Sequence, residues 1–483
     1  MYLRTLSRKV LLIAAAMILT LPLSLEAGKA VPVTVTAANP SQAIQGAELD
    51  VIVSGTGFGV GSTVSYLVTG TTDASQVVVT SVTYLQATGQ LKTHIKVSGG
   101  AVVTDYDIQV TTSSGRKGKG TTLFKVNPDP SLILPVSLGV PTGCDSSEAF
   151  RLNDGVYLAG LSVAGNSYGC ITGKDHNYRW QDGSWQDLGT LGSTTAGSTK
   201  GVSNDGKVVG WVKSSTGIST AFVASGGMMS PLSVLAGMVH SRAWGISQDG
   251  THIVGESSIA GENDAVRWSK DAGGTWNVEV IGDRPAVFRE ALASSDDGSV
   301  LVGMGYKDGN SAVWEGWVWV EGGSPAWVSL GADTYAFDID PAATMIVGFR
   351  YERNCGTPCE YAVPVYWTFN GAGWEIHDLT ALGVGLENEA WARGVGMVNN
   401  VGLVIVGNAR KDGSTGQAVA WLPQSGGSYG SPIRLAAIDK DPSLGGMASD
   451  VNANGVVAGF SYVRQVSGQG KARASLWMLP GTP

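Results

Sequence analysis

Seven segments of this chain repeat one design, an apolar strand, a tight turn and a second apolar strand that closes on glycine. They read "AFRLNDGVYLAG", "GVSNDGKVVGW", "AWGISQDGTHIVGES", "ALASSDDGSVLVGMG", "AFDIDPAATMIVGF", "GVGMVNNVGLVIVGN" and "ASDVNANGVVAGF". Their turns are anchored at Gly155, Gly206, Gly250, Gly298, Ala343, Gly402 and Gly455, 44 to 59 residues apart. A repeat of that length cannot bury its own apolar face and must stack on its neighbours, and four short strands per repeat is the size of a propeller blade. The N-D-G, Q-D-G and D-D-G turns tolerate positive φ, so they pin strand register and need no chemical role. A small residue six or seven before the anchor (Ala149, Ala243, Ala291, Ala336, Ala448) suits innermost strands crowding an axis.

Each repeat continues with a third strand ending in an aromatic: Trp180, Trp268, Trp319, Trp367, Trp421 and Trp477, with Phe222 in the second copy. A fourth strand follows, usually opened by Trp, but the last copy stops at "ASLWMLP" without one. The segment "ILPVSLGVP", residues 133–141, precedes the first copy and has the look of that missing strand. Pairing it into the last repeat would close a ring and remove the exposed edges of an open arc. Residues 130–483 are therefore expected to form a seven-bladed β-propeller closed by an N-terminal strand. An open solenoid is the alternative, disfavoured because no segment reads as a polar cap.

Composition agrees with an all-β reading. Glycine contributes 68 of 483 residues and charged residues only 15%, which favours many short strands joined by tight turns. At the N-terminus, Arg4, Arg8 and Lys9 precede an apolar run from Val10 to Leu21, then Pro22 and small residues. That is the order of a secretory signal peptide over residues 1–27, and the run is too short for a stable membrane span. Its removal leaves 29 basic and 39 acidic residues, a net charge of −10, which argues against nucleic acid or anionic membrane partners. Four cysteines suit an oxidising compartment. Once the ring is assumed, Cys144 and Cys170 fall on the same face of the first blade, and Cys355 and Cys359 share one long loop of the fifth. The pairs Cys144 with Cys170 and Cys355 with Cys359 follow.

Residues 31–127 alternate apolar and polar positions in seven short stretches, from "VPVTVTAANP" to "TTLFKV", as a small β-sandwich does. The stretch "ANPSQAIQGAELDVIVSGTGFGVGSTVSY" resembles the bacterial immunoglobulin-like domains of the IPT/TIG type, which implies a spacer or presentation module. In the repeat region, "DLGTLGSTTAGSTKGVSNDGKVVGW", Asp187 to Trp211, resembles the extracellular HAF-repeat family, although Ser193 stands where that family has glycine. This implies a secreted bacterial propeller, extracellular or periplasmic, and supplies no catalytic residues. "SKDAGGTW", Ser269 to Trp276, fits the S-x-D-x-G-x-T-W pattern that recurs in sialidase-type propellers. Its place between a third and a fourth strand makes it a turn on the short-loop face.

Function in such a scaffold sits on the loops of the opposite face. On or beside them stand Arg242, Arg289, Glu290, Trp314, Arg350, Arg353, Trp391 and Arg393, the candidate binding set, with Trp314 and Trp391 as the tryptophans open for stacking on a sugar. No nucleophile elbow, zinc-binding helix, P-loop or calcium loop is present, so no catalytic residue, metal or cofactor is assigned. The expected function is a secreted, non-catalytic binding or interaction protein whose loop face contacts a glycan or a protein. A propeller glycoside hydrolase or polysaccharide lyase, and a structural component of matrix or envelope, are the alternatives.

Overall fold

The computed structural model describes residues 31–44, 46–97, 101, 104–127, 133–155, 161–168, 170, 176–192, 194–260, 262–282, 289–307, 310–324, 326–352, 361–382, 389–410, 416–439, 444–464 and 470–480. The expected signal peptide, Arg353, Cys355 and Cys359 lie outside them. The described chain is all-β, and it divides into two compact units.

The first unit is built from β1 (Thr34–Asn39), β2 (Gln42–Ile44), β3 (Glu48–Thr56), β4 (Thr63–Val68), β5 (Val77–Leu85), β6 (Gln90–Val97), β7 (Asp105–Thr111) and β8 (Lys117–Asn127). They form two four-stranded sheets, in the orders β1-β3-β6-β5 and β2-β8-β7-β4. Val51, Val53, Leu91, Ile95, Ile108 and Val110 point inward with no exposed surface, as the two-residue period of their strands dictates. The three-residue β2 has no periodicity to read and went unnoticed in the sequence. His94 is exposed, its ring nitrogens 2.8 Å from Asp50 and 2.9 Å from Glu48. Those carboxylates raise its pKa.

The second unit opens with β9 (Pro135–Ser137). The first repeat supplies β10 (Ser146–Leu152), β11 (Ser162–Tyr168), β12 (His176–Gln181) and β13 (Ser184–Asp187); the second β14 (Thr194–Val202), β15 (Val208–Ser214), β16 (Ser219–Ser225) and β17 (Met228–Pro231). The third supplies β18 (His240–Ile246), β19 (His252–Ile259), β20 (Glu262–Lys270) and β21 (Trp276–Val280); the fourth β22 (Arg289–Ser294), β23 (Val300–Lys307), β24 (Asn310–Val320) and β25 (Trp327–Ala332). The fifth supplies β26 (Thr334–Ile339), β27 (Met345–Glu352), β28 (Tyr361–Phe369) and β29 (Trp374–Asp378); the sixth β30 (Ala390–Val398), β31 (Gly402–Ala409), β32 (Gln417–Trp421) and β33 (Ile433–Arg434). The last has only β34 (Gly446–Val451), β35 (Val456–Arg464) and β36 (Gly470–Met478), and β9 completes it by pairing antiparallel with β36. Each repeat is one four-stranded sheet in sequence order, and the unit is a β-propeller. Its innermost strands touch in the order β10, β14, β18, β22, β26, β30, β34, and β34 also touches β10.

The tight turns of the repeats join hand to hand. Asp154 N–H donates to Asn204, Asn204 N–H to the Gln248 carbonyl, Gln248 N–H to Asp296, and Asp296 N–H to the Pro341 carbonyl. Across the junction of last and first repeats, Asn452 Nδ2 donates to the Asn153 carbonyl at 2.8 Å. Within the turns, Gly206, Gly250, Gly298, Gly402 and Gly455 have positive φ, and Ala343 adopts φ 55° in the fifth.

The alanines six or seven before the anchors are fully buried, yet they face the neighbouring sheet and not the axis: Ala149 packs with Ala474 and Leu476 of the last sheet. The third-strand tryptophans fill the gaps between sheets. Trp268, Trp421 and Trp477 each donate Nε1 to a carbonyl of the preceding connection, at Ser233, Thr380 and Ala436, all at 2.8 Å. Phe222 does not belong to this series. It lies opposite Gly210, whereas the tryptophan position of the second sheet, opposite Val208, is held by Ala224. Two residues along a strand is the same face, so the Phe222 ring fills the space beside the small Ala224 in one shared cluster.

Candidate functional site

All seven innermost strands carry a register shift at the same place, between residues 149/151, 199/201, 243/245, 291/293, 336/338, 392/394 and 448/450. Such a bulge adds a residue without a partner and re-aims it. The bulge residues are Phe150, Lys200, Trp244, Leu292, Phe337, Arg393 and Ser449. Two groups of them meet: Lys200 Nζ lies 4.3 Å from the Phe150 ring centre and 5.6 Å from that of Trp244, and Arg393 lies 4.6 Å from the ring centre of Phe337.

On the tight-turn side of this ring is a cavity of about 70 Å3 lined by residues from all seven innermost strands. Arg151 crosses it, 2.7 Å from Asp338 and 3.4 Å from Asp450. The same carboxylates accept Val395 N–H and Leu152 N–H, both at 3.0 Å. One ion cluster therefore ties β10, β26, β30 and β34 together. Burial, then repulsion from Asp338, pushes Asp450 up to about 7.

On the side of the bulge ring away from the tight turns, the fourth and fifth sheets carry an aromatic wall. Tyr306 and Trp314 lie 4.7 Å apart, Trp314 and Tyr335 5.4 Å, and Tyr335 stacks on Phe349 at 4.4 Å, with Tyr351 edge-on at 5.2 Å to Phe349. Tyr306, Trp314, Tyr335 and Tyr351 are partly exposed, and the wall continues through Phe337 to Arg393. Trp314, singled out in the sequence for stacking on a sugar, is one partly exposed plate of this wall. Arg410 covers Trp391, 5.3 Å from its ring centre, and donates to Glu389 at 2.9 Å.

Beside it, between the third and fourth sheets, lies an acid cluster. Arg242 Nη1 donates to Glu256 at 2.9 Å, and its guanidinium sits 5.3 Å from the Trp211 ring centre. Asn263 Nδ2 donates to the other Glu256 oxygen at 2.5 Å. Glu290 lies beside Glu256, and both are buried. Desolvation first, then the Glu256 charge and the hydrogen bond between the two carboxyls, raise Glu290 to about 8, against the opposing pull of Arg242. Two close carboxylates in a dry site share one proton. Arg242 Nε, Trp211 Nε1 and Asn263 Oδ1 are buried without a hydrogen-bond partner among the described residues.

A stability prediction arises here. A carboxyl whose folded pKa lies above its unfolded value of 4.5 holds a proton that the unfolded chain has released, so its contribution falls as pH rises from about 4.5 to 8. Thermal unfolding should show the chain losing stability across that window, on the order of 1.4 kcal/mol for each unit separating the two pKa values. Glu290→Gln should flatten the slope; an unchanged slope would refute the shared proton.

The sequence placed its candidates on or beside loops. The structure sets the described ones within strands. Arg242 on β18, Glu290 on β22, and Trp391 and Arg393 on β30 belong to innermost strands. Arg289, also on β22, is buried, 5.1 Å from the ring centre of Trp327. Arg350 on β27 reaches outward, gripped by Asp378 at 2.9 and 3.1 Å and by Glu352 at 2.9 Å; Asp378 foremost raises its pKa. Arg242, Arg289 and Arg350 thus have separate neighbours, Glu256 and Trp211, Trp327, and Asp378 with Glu352. Glu256 and Lys200 went unnoticed, though the acid directly after the closing glycine in "IVGES" and the lysine of "STKGVS" stand out once the seven copies are aligned.

Cys144, before β10, and Cys170, after β11, form a disulfide. The "SKDAGGTW" segment is the β20–β21 turn. Asp271 accepts the Thr275 N–H at 2.8 Å and Asn277 Nδ2 at 3.1 Å, while Lys270 N–H bonds the Thr251 carbonyl of the adjacent tight turn. Trp276 packs against the cluster shared by the second and third sheets, so the motif is structural here.

Among the described residues no group of three or more His, Cys, Asp or Glu is arranged to hold a metal ion, and no helix is long and apolar enough to cross a membrane. No family model matches the chain, and no curated protein matches it. Among solved structures, TolB from Acinetobacter baumannii is similar at 13% identity, with a TM-score of 0.35, over 73% of this chain and 87% of that one. A gluconolactonase from Xanthomonas campestris is similar at 13% identity, with a TM-score of 0.33, over 72% of this chain and 89% of that one.

Proposed function

We propose that this is a secreted binding protein of extracellular or periplasmic address, whose seven sheets are the blades of one closed ring and whose channel mouth takes a saccharide. The single observation that carries the reading is the aromatic wall of Tyr306, Trp314, Tyr335 and Tyr351, whose rings touch in series and are partly exposed. Flat aromatic faces bury the apolar side of a sugar ring at little entropic cost, and a few fixed polar groups orient it. The disulfide Cys144–Cys170 and the basic-then-apolar N-terminus support export. The first unit, with its two four-stranded sheets, is read as an immunoglobulin-like module of the IPT/TIG kind, and the repeats as HAF-like.

A glycan array probed with the full chain tests the saccharide reading. Binding to a defined set of glycans is expected; an array without signal, beside capture of a protein partner, would overturn it.

A second reading, a glycoside hydrolase, has one observation in its favour. Glu290 keeps a proton beside the buried Glu256, and a protonated carboxyl is the acid half of such a mechanism. New reducing ends released from a bound polysaccharide, and lost in Glu290→Gln, would establish it.

A further inference from the structure

The tight-turn side of the propeller unit carries a groove of about 790 Å3 between the second and third sheets, away from the aromatic wall. Its walls come from β16 and β17 of the second sheet and from the β20–β21 turn of the third, the turn that holds "SKDAGGTW". The saccharide reading of the channel mouth makes no use of it. Two lysines line the groove, Lys207 and Lys270, and no carboxylate does. Both stand where the repeat does not call for charge. Lys207 follows the turn anchor, a position held in the other copies by Val156, Thr251, Ser299, Thr344, Leu403 and Val456, and Lys270 fills a position that the S-x-D-x-G-x-T-W pattern leaves free.

The acids nearest the groove are engaged within their own turns. Asp205 takes the Lys207 ammonium and the Ser203 hydroxyl. Asp249 accepts the Ser247 hydroxyl and the Thr251 N–H and hydroxyl, and Asp271 accepts the Thr275 N–H and Asn277 Nδ2. Lys270 is exposed, and its ammonium faces the half-exposed Trp276 ring, 5.8 Å from the ring centre. Burial, and then the charge of Lys270, lowers the Lys207 pKa, so the two ammoniums lie close enough to repel each other. An anion seated in the groove would relieve that repulsion. The chain as a whole carries a net charge of −8, which turns acidic ligands away from most of the surface and leaves this groove as an exception.

The rest of the lining suits a sugar. Ser230, Ser233, Thr275 and Asn277 present exposed hydroxyl and amide groups, and the Trp276 ring lines the groove beside them. Hydroxyl-rich rings are held by such neutral hydrogen-bonding groups together with an aromatic side chain. We propose that this groove is a second saccharide site, one for an acidic glycan whose rings carry carboxylate or sulfate groups. It lies apart from the channel mouth and does not depend on the reading of that mouth.

Calorimetric titration of the full chain with a galacturonic acid hexamer, a sulfated glucan hexamer, the uncharged glucan hexamer and hexaglutamate tests it. At least one acidic glycan should bind more tightly than the uncharged hexamer, the tighter of the two identifying the acid group, and its affinity should fall as added salt screens the charges. Lys270→Gln should weaken that binding about threefold to fivefold and Lys270→Glu at least about tenfold, the effects of losing and then reversing one exposed charge pair. Lys270→Arg, which keeps the charge, should bind as the parent does. All three variants should melt at the parent temperature, because the side chain they replace is exposed. No binding of either acidic glycan, equal binding of the uncharged hexamer, hexaglutamate bound as tightly as the acidic glycans, or Lys270→Glu keeping the parent's affinity would overturn the proposal.

Discussion

Arg151→Met is expected to lower the unfolding free energy of the propeller unit by about 3–5 kcal/mol, the cost of stranding buried charges by removing their partner. Asp338 and Asp450 would be left facing each other and the axial cavity. Each also anchors a backbone N–H of a different strand, so the loss spreads over four of the innermost strands. Asp450→Asn should cost much less, because burial already favours its neutral form. Urea unfolding followed by tryptophan fluorescence measures both. An Arg151→Met midpoint equal to the parent's would mean that the cluster is not what ties those strands.

Gly348→Ala is expected to cost about 3 kcal/mol, at the upper end of overpacking penalties. Gly348 lies opposite Ala336, where the β26 bulge turns the Tyr335 carbonyl inward, and a Cβ at Gly348 would overlap that oxygen. The same encounter recurs at Gly210, Gly255, Gly303, Gly407 and Gly459 with the carbonyls of Ser198, Arg242, Glu290, Trp391 and Met447. Gly373, whose Cβ would meet nothing within 4 Å, is the control, and Gly373→Ala should change stability by less than about 0.5 kcal/mol. Equal effects at the two positions would contradict this account of the repeat's closing glycine.

That glycine shows what the sequence makes legible. Its recurrence after two or three apolar residues announces the repeat, and the turn residues set the strand register. The reason for it, a bulge on the facing strand, is a tertiary contact without local pattern. Strand β9 was recognisable because the last copy lacks a fourth strand. The sandwich lost β2 because three residues carry no period. At the candidate site, Arg393, Glu290 and Trp391 were found because charged and aromatic residues near loops attract notice. Lys200 and Glu256 lie inside strands, where no loop position marks them out in the sequence. Arg350 was selected by type alone; its partner Asp378 is 28 residues away and on the outermost strand.

The account rests on the aromatic mouth as a saccharide site, and calorimetric titration of the strongest array ligand into the parent chain and Trp314→Ala tests it most directly. Loss of one stacking face, with Tyr306 and Tyr335 both deprived of their neighbour, should weaken binding about tenfold to a hundredfold, in line with the ~1.4–2.8 kcal/mol of a buried aromatic contact in a binding site. Equal affinity of the two proteins, with Trp314→Ala folded to the parent's melting temperature, would contradict it.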